Sequence, residues 1–228
     1  MAETTMMMIR KLLIILFPFF IPLVAFSQAD FGIWYGVSAE HKLSKKLEIN
    51  LSTDIRTFNN ASKIEEGFLE GGAVFSIRKY LTVAASYRLT ENLENNNSYY
   101  FQHKMFFDVK GILPIGNFSF SSRFRFQTRM KTYIKDNNDN YPDYTGIIKL
   151  KAIYKTPTFP IDPYVYVETF LPMFSDKSGT EGKNRFSVGV ELKITKRHSV
   201  ETEYIFQRDY LPHLSDINII SVNYNIRF

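Results

Sequence analysis

"FSFSSRFRFQTRMKTY", residues 118–133, sorts its side chains by parity. The even positions carry Phe118, Phe120, Ser122, Phe124, Phe126, Thr128, Met130 and Thr132; the odd positions carry Ser119, Ser121, Arg123, Arg125, Gln127, Arg129 and Lys131. Alternation at period 2 puts the two sets on opposite faces of a β-strand, whereas a helix would scatter both around its whole circumference. The length is unusual for a soluble sheet, whose strands run to about 5–6 residues. Sixteen extended residues reach roughly 53 Å at about 3.3 Å per residue, while a tilted strand crosses the bilayer core in about 9–11 residues.

The same period recurs to the end of the chain. It runs through residues 31–42, 46–57, 67–78, 80–91, 98–110, 143–155, 163–172, 185–195, 199–211 and 216–228. Two classes of connection take turns between these segments. "LSKK", "RKY", "GILPIGN", "TPTFPID" and "TKRH" are tight. "NNASKIEE", "NLENNN", "IKDNNDNYP" and "MFSDKSGTEGKN" are mostly longer and polar. Short turns at one end and polar loops at the other describe an up-and-down antiparallel transmembrane β-barrel. Eleven segments conflict with the even strand number of bacterial single-chain barrels, and the first connection is short where an external loop is expected. The expectation is a single barrel of 10–12 strands. Either residues 28–42 hold a short extra strand or lie inside the barrel, or one segment is wrongly divided.

Composition is compatible with this reading. Apolar residues make up 45% and charged residues 22%, the average expected when an apolar and a polar face cancel. No stretch after residue 28 is apolar for eighteen residues, so no transmembrane helix is expected there. Cysteine is absent, which excludes disulfides and thiolate metal sites. Residues 1–27 read as a secretory signal: Arg10 and Lys11, then the apolar run Leu12–Phe26, then Ala25-Phe26-Ser27 as the cleavage site before Gln28. The start methionine is open among Met6, Met7 and Met8. Cleavage would leave 26 cations and 22 anions, a net charge of +4. That is too mild for a nucleic-acid partner, and the cations alternate along strands without forming a basic run.

Three features favour a membrane barrel over a soluble one. Strand length is the first. The second is the terminus "NIISVNYNIRF", in which Phe228, Ile226, Tyr224, Val222 and Ile220 are all apolar or aromatic; this resembles the signal by which outer-membrane barrels are handed to their assembly machinery. The third is Tyr80, Tyr99, Tyr133, Tyr144, Tyr154, Tyr164 and Tyr210 near strand ends, suited to girdles at the membrane interfaces. The expected location is the bacterial outer membrane. Phe118, Phe120, Phe124, Phe126 and Met130 then face lipid, because four cations in hydrocarbon would each cost about 2–4 kcal/mol near the midplane.

The start "FGIWYGVSAEHKLSKKLEINLSTDIRTF", the aromatic meander and the terminal Phe228 also resemble a known family, the Bacteroidetes-type barrels grouped as domain of unknown function 2490. Trp34, the "KLSKKLEI" hairpin and Arg56 are its most recognisable parts. The resemblance spans nearly all of residues 30–228. It implies an outer-membrane location and no activity, so no site residues carry over.

Three functions stay open. A narrow anion-preferring pore would use a lumen lined by Arg56, Arg88, Lys104, Arg123, Arg125, Arg129, Lys131, Lys149, Lys151 and Lys193, facing Glu48, Asp54, Asp108, Glu191, Glu201 and Glu203; small anions would be its partners. A structural barrel would have those same groups fill the lumen, since about eight strands are filled by side chains and 16–18 leave a channel. A lipid hydrolase or deacylase would need a nucleophile and base in contact; His213 and Ser215 in "HLS" are the weak candidates. His103 and Ser122 are a poorer pair, about three residues out of register. "DNNDN", residues 136–140, lacks the Gly and closing Glu of a calcium loop. No metal-ligand spacing or phosphate-binding loop appears, and no cofactor is expected.

Overall fold

The structure, a computed structural model, describes residues 29–94, 97–131, 142–173, 182–211 and 214–228. The expected signal segment and His213 lie outside them. Eleven strands follow one another: β1 (Asp30–Lys42), β2 (Leu47–Phe58), β3 (Lys63–Arg78), β4 (Leu81–Leu93), β5 (Tyr99–Ile115), β6 (Phe118–Lys131), β7 (Asp143–Tyr154), β8 (Ile161–Met173), β9 (Gly182–Lys193), β10 (His198–Leu211) and β11 (Ser215–Arg227). Each pairs with its chain neighbours, and β1 meets β11, so the sheet closes into a barrel without edges.

Ten of these pairings are antiparallel; the closing one, β1 with β11, is parallel, with Tyr35 beside Val222 and Ala39 beside Ile226. That single seam resolves the strand-parity conflict. β1 starts beside the start of β11, at the end carrying the longer connections. It runs toward Leu43–Lys46, the first tight turn. No extra strand is needed, and residues 30–42 form wall, not plug. At the turn end the backbone N–H of Phe228 donates to the carbonyl of Glu40 at 2.9 Å. The "GILPIGN" connection is tighter than expected. β5 runs on to Ile115, and only Gly116 and Asn117 turn the chain, with Gly116 in the left-handed region at φ +57°. Glycine adopts that conformation without steric cost.

The barrel is inside out relative to a soluble protein. Phe107 is 55% exposed on the outer face and Arg129 only 8% exposed on the inner one. Leu51, Leu69, Phe101, Phe124, Val165 and Phe186 continue the exposed apolar surface around the wall. Such a band in water would be a large aggregation-prone patch; in hydrocarbon it is the favourable solvent contact. Tyr80 at the turn end and Tyr99 and Tyr210 at the loop end are exposed outside. Tyr164 departs from the expected girdle: it is 3% exposed and its hydroxyl reaches the lumen residue Glu203 at 3.2 Å.

Candidate functional site: the charged lumen

The register of the strands sets the lumen. Odd positions of β6 and even positions of β5 and β8 point inward, and pairing brings Lys110, Arg123, Lys149 and Glu168 into one cross-strand row. The row above it sets Asp108 directly beside Arg125. Arg125 donates from Nε and Nη2 to the two Asp108 carboxylate oxygens at 2.6 and 2.7 Å. This two-pronged geometry is the strong form of an arginine–carboxylate bond.

Arginines and aromatic rings alternate around the inner wall. The Arg185 guanidinium lies 4.7 Å from the Phe170 ring and 4.9 Å from Trp34. Arg56 lies 4.0 Å from Trp34 and 5.0 Å from Phe68. Arg88 lies 3.6 Å from Phe68 and 5.0 Å from Phe106, and Arg125 is 4.4 Å from Phe106. Beside them on β7 and β8, Lys149 Nζ sits 3.4 Å from the Tyr166 ring and Lys151 Nζ 3.7 Å from Tyr164. Each such contact contributes about 0.5–2 kcal/mol, more where water is excluded. The rings also space the cations apart.

Carboxylates close most of the charge. Arg56 Nη1 reaches Glu66 at 2.5 Å and its Nε reaches Asp54 at 3.1 Å. Lys104 reaches Glu66 at 3.3 Å, and Arg88 reaches Glu70 at 2.7 Å. Glu168 is shared by Arg123 at 2.8 Å and Arg185 at 3.4 Å. Between β8 and β10, Tyr164 donates to Glu203 at 3.2 Å, and the Ser187 hydroxyl donates to the same carboxylate at 2.7 Å.

Two cavities enter this lumen from opposite ends. The loop-end cavity, about 320 Å³, contains Trp34, Arg56, Glu66, Gln127 and Arg129. The turn-end cavity, about 570 Å³, contains Glu48, Asn50, Lys110 and Lys151. Among the described residues both are lined by Arg123, Arg125 and Lys149, so these three cations stand where the cavities meet. The turn-end cavity is lined by eight Lys or Arg against four Asp or Glu.

The remaining sequence candidates are distributed as follows. Arg56, Arg88, Asp54, Glu201 and Glu203 line the loop-end cavity with Arg129, whose Nη2 reaches Asp143 at 2.8 Å. Lys131 pairs with Glu94 at 3.2 Å at the loop end. Lys151 lies 3.9 Å from Glu201. Glu191 lies at the turn end, 3.7 Å from Lys155 and 3.6 Å from Arg227. Lys193 and Lys155 converge on the fully buried Asp162 at 2.6 and 2.9 Å. Ile220, Val222, Tyr224 and Ile226 alternate with Ile219, Ser221 and Asn223, the last three of which line the lumen, so the apolar set of β11 faces outward; Phe228 is exposed beyond it.

Of the hydrolase candidates, His213 lies outside the described residues, so only Ser215 and the His103–Ser122 pair are placed. Ser215 is exposed and donates to Asp209 at 3.1 Å. His103 opposes Met130 while Ser122 opposes Gly111, so these two are further apart than the hairpin count suggested. His103 instead bonds Tyr87 on the outer wall. Among the described residues no group of three or more His, Asp or Glu is placed to hold a metal ion.

Sequence reading missed Glu66, Phe68, Phe106, Glu168 and the two inward tyrosines of β8. Phe106 was available from parity, since it lies between Lys104 and Asp108 on β5. Glu66 and Glu168 are charged residues that mark the inward faces of β3 and β8; Phe68 shares parity with the first, and Tyr164 and Tyr166 with the second. On the next strand a Cβ on Gly189 would stand 2.7 Å from the Tyr164 ring, so glycine makes room for it.

The closed wall, apolar outside and ion-paired inside, defines a β-barrel of the outer-membrane type. Within that class the chain belongs to the family described as Protein of unknown function (DUF2490), whose model matches residues 31–218. No curated protein matches. The chain is similar to the crystal structure of the beta domain of the Bordetella autotransporter Brka, at 11% identity, covering 82% of this chain and 86% of that one with a TM-score of 0.50. At that identity the likeness is one of fold.

Proposed function

We propose that this chain is exported with cleavage after Ser27, sits in the bacterial outer membrane, and carries a narrow passage that prefers small anions. The carrying observation is that two water-accessible cavities enter from opposite ends and share Arg123, Arg125 and Lys149 at their junction. A constriction lined by cations with low-dielectric walls concentrates anions and repels cations. The excess of cations in the turn-end cavity extends that field to one mouth. Eleven strands fall between the filled eight-stranded barrel and the open 16–18-stranded channel, which restricts the passage to small solutes.

In this reading the tight turns face the periplasm and the polar loops face outward. β11 ends on the periplasmic side, where Phe228, Ile226, Tyr224, Val222 and Ile220 present the outward apolar row to the assembly machinery and then to lipid. The parallel seam is compatible with a membrane barrel, as the 19-stranded mitochondrial channel also has an odd count.

Conductance of the refolded chain in a planar bilayer under a salt gradient tests the reading. Small discrete steps with an anion-selective reversal potential are expected. Lys149→Glu, which removes a cation that holds no ion pair among the described residues, should move the reversal potential toward cation selectivity. A chain that inserts and stays silent would overturn the passage and leave a filled structural barrel.

A further inference from the structure

We infer that the turn-end cavity contains a binding site for a compact oxyanion of the phosphate class, built on the row Lys110–Arg123–Lys149; this rests on the proposal that the lumen handles anions. The three residues are direct partners across β5, β6 and β7. Like charges placed directly opposite on adjacent strands destabilise a sheet, and this row has no carboxylate within it. On one side it ends at Thr82 and on the other at Glu168. Glu168 is already divided between Arg123 and Arg185.

Of the four acids that line the cavity, three are engaged, and the fourth, Glu48, stands on β2 beside Lys42. Asp108 gives both carboxylate oxygens to Arg125. Glu40 accepts from Arg227 at 3.2 Å. Glu70 is held by Arg88. Among the described residues the Lys110 side chain has no ion pair and no hydrogen bond. The Arg123 Nε is buried without a hydrogen-bond partner, although the far nitrogen of the same guanidinium is bonded to Glu168. A buried donor left unmade costs about 1–3 kcal/mol, so an acceptor at this point would be stabilising.

The donor set selects the ligand chemistry. Arg123 offers a fixed planar N–H, and Lys110 and Lys149 add mobile point charges beside it. Lys151, which opposes Ser121 one step nearer the turns, lines the same cavity. A tetrahedral dianion can accept from several of these at once, whereas chloride has one centre and lower charge. Arginine forks and lysines together are the usual partners of phosphoryl oxygens. The ligand is either free phosphate or the terminal group of a small phosphorylated molecule.

The test is calorimetric titration of the full chain, refolded in detergent, with inorganic phosphate and separately with glycerol 3-phosphate, at ionic strength fixed by sodium chloride. One saturable site per chain is expected, weakened roughly tenfold by Lys110→Ala, the loss of one charge-assisted bond. Lys110→Ala relieves like-charge repulsion and should fold. Lys183→Ala, which alters only the loop-end cavity, should leave binding unchanged. Tighter binding of glycerol 3-phosphate assigns the phosphorylated molecule; equal binding assigns the free ion. Absence of a saturable signal for both, or a Lys110→Ala variant that binds like the parent, would overturn the site. Because binding is read without transit, a silent barrel that still binds phosphate overturns only the passage, and a conducting barrel that does not bind overturns only this site.

Discussion

Arg125 is where the lumen can be tested most sharply. It holds Asp108 through two bonds of 2.6 and 2.7 Å and rests on the Phe106 ring. Both side chains are 13% exposed, so water reaches them only in part. Two unit charges 4 Å apart attract by about 1 kcal/mol in water and about 4 kcal/mol at the effective dielectric of a partly wet site. Truncating one partner also leaves the other charge uncompensated, which costs about 3–5 kcal/mol when fully buried. Partial hydration here lowers the expected loss for Arg125→Met to about 2–4 kcal/mol, including roughly 0.5–1 kcal/mol of ring contact. Asp108→Leu should cost about the same, because it strands the guanidinium. The double variant Arg125→Met with Asp108→Leu should recover most of either loss, since no unpaired charge remains. Urea unfolding of the barrel in lipid vesicles, followed by circular dichroism and by the fluorescence of the single tryptophan, Trp34, gives all four corners of the cycle. A coupling below about 0.5 kcal/mol would put the pair in the class of exposed ion pairs and refute the claim that bonded charges hold the inner wall.

Other regions give independent predictions. The chain has no cysteine, so single cysteines report topology cleanly: Ala29→Cys and Ser98→Cys should be labelled by an impermeant reagent on intact cells, and Lys45→Cys and Lys79→Cys should not. Protection of Ala29→Cys would mean that β1 does not start at the loop end and that the parallel seam is wrong. Phe124→Arg places a cation on the lipid face and should cost about 2–4 kcal/mol in urea unfolding, against less than about 0.5 kcal/mol for Gln127→Lys on the lumen face. Phe228→Ala should lower the folded fraction in cells while changing the urea midpoint of the refolded chain little, because Phe228 is 65% exposed; equal loss in both would overturn the proposal that it serves assembly. Gly189→Val should destabilise by about 1–3 kcal/mol through collision with the Tyr164 ring, and Tyr164→Ala in the same chain should restore part of it.

What the sequence settled by itself was everything that depends on period 2 and chain order. "FSFSSRFRFQTRMKTY" declares its two faces because phenylalanine and arginine cannot share a solvent, and the cost of four cations in lipid picks which face is outside. The alternating short and long connections were enough to orient every strand. They even contained the parallel closure: eleven strands with a short first turn and a C-terminus at the turn end leave β1 no other direction. The expectation of an even count hid that consequence. In "YVYV" the tyrosines share their parity with Asp162 and Glu168, which turns them inward, while packing shows the space that Gly189 leaves for the Tyr164 ring. Tertiary structure alone decided which charges meet. Register places Asp108 beside Arg125 and Lys110 beside Arg123, one a bonded pair and the other two cations without a carboxylate between them. A slip of two residues along either strand would preserve every face and exchange those partners. Face assignment is therefore a local property of the chain, while charge pairing is a property of the closed barrel.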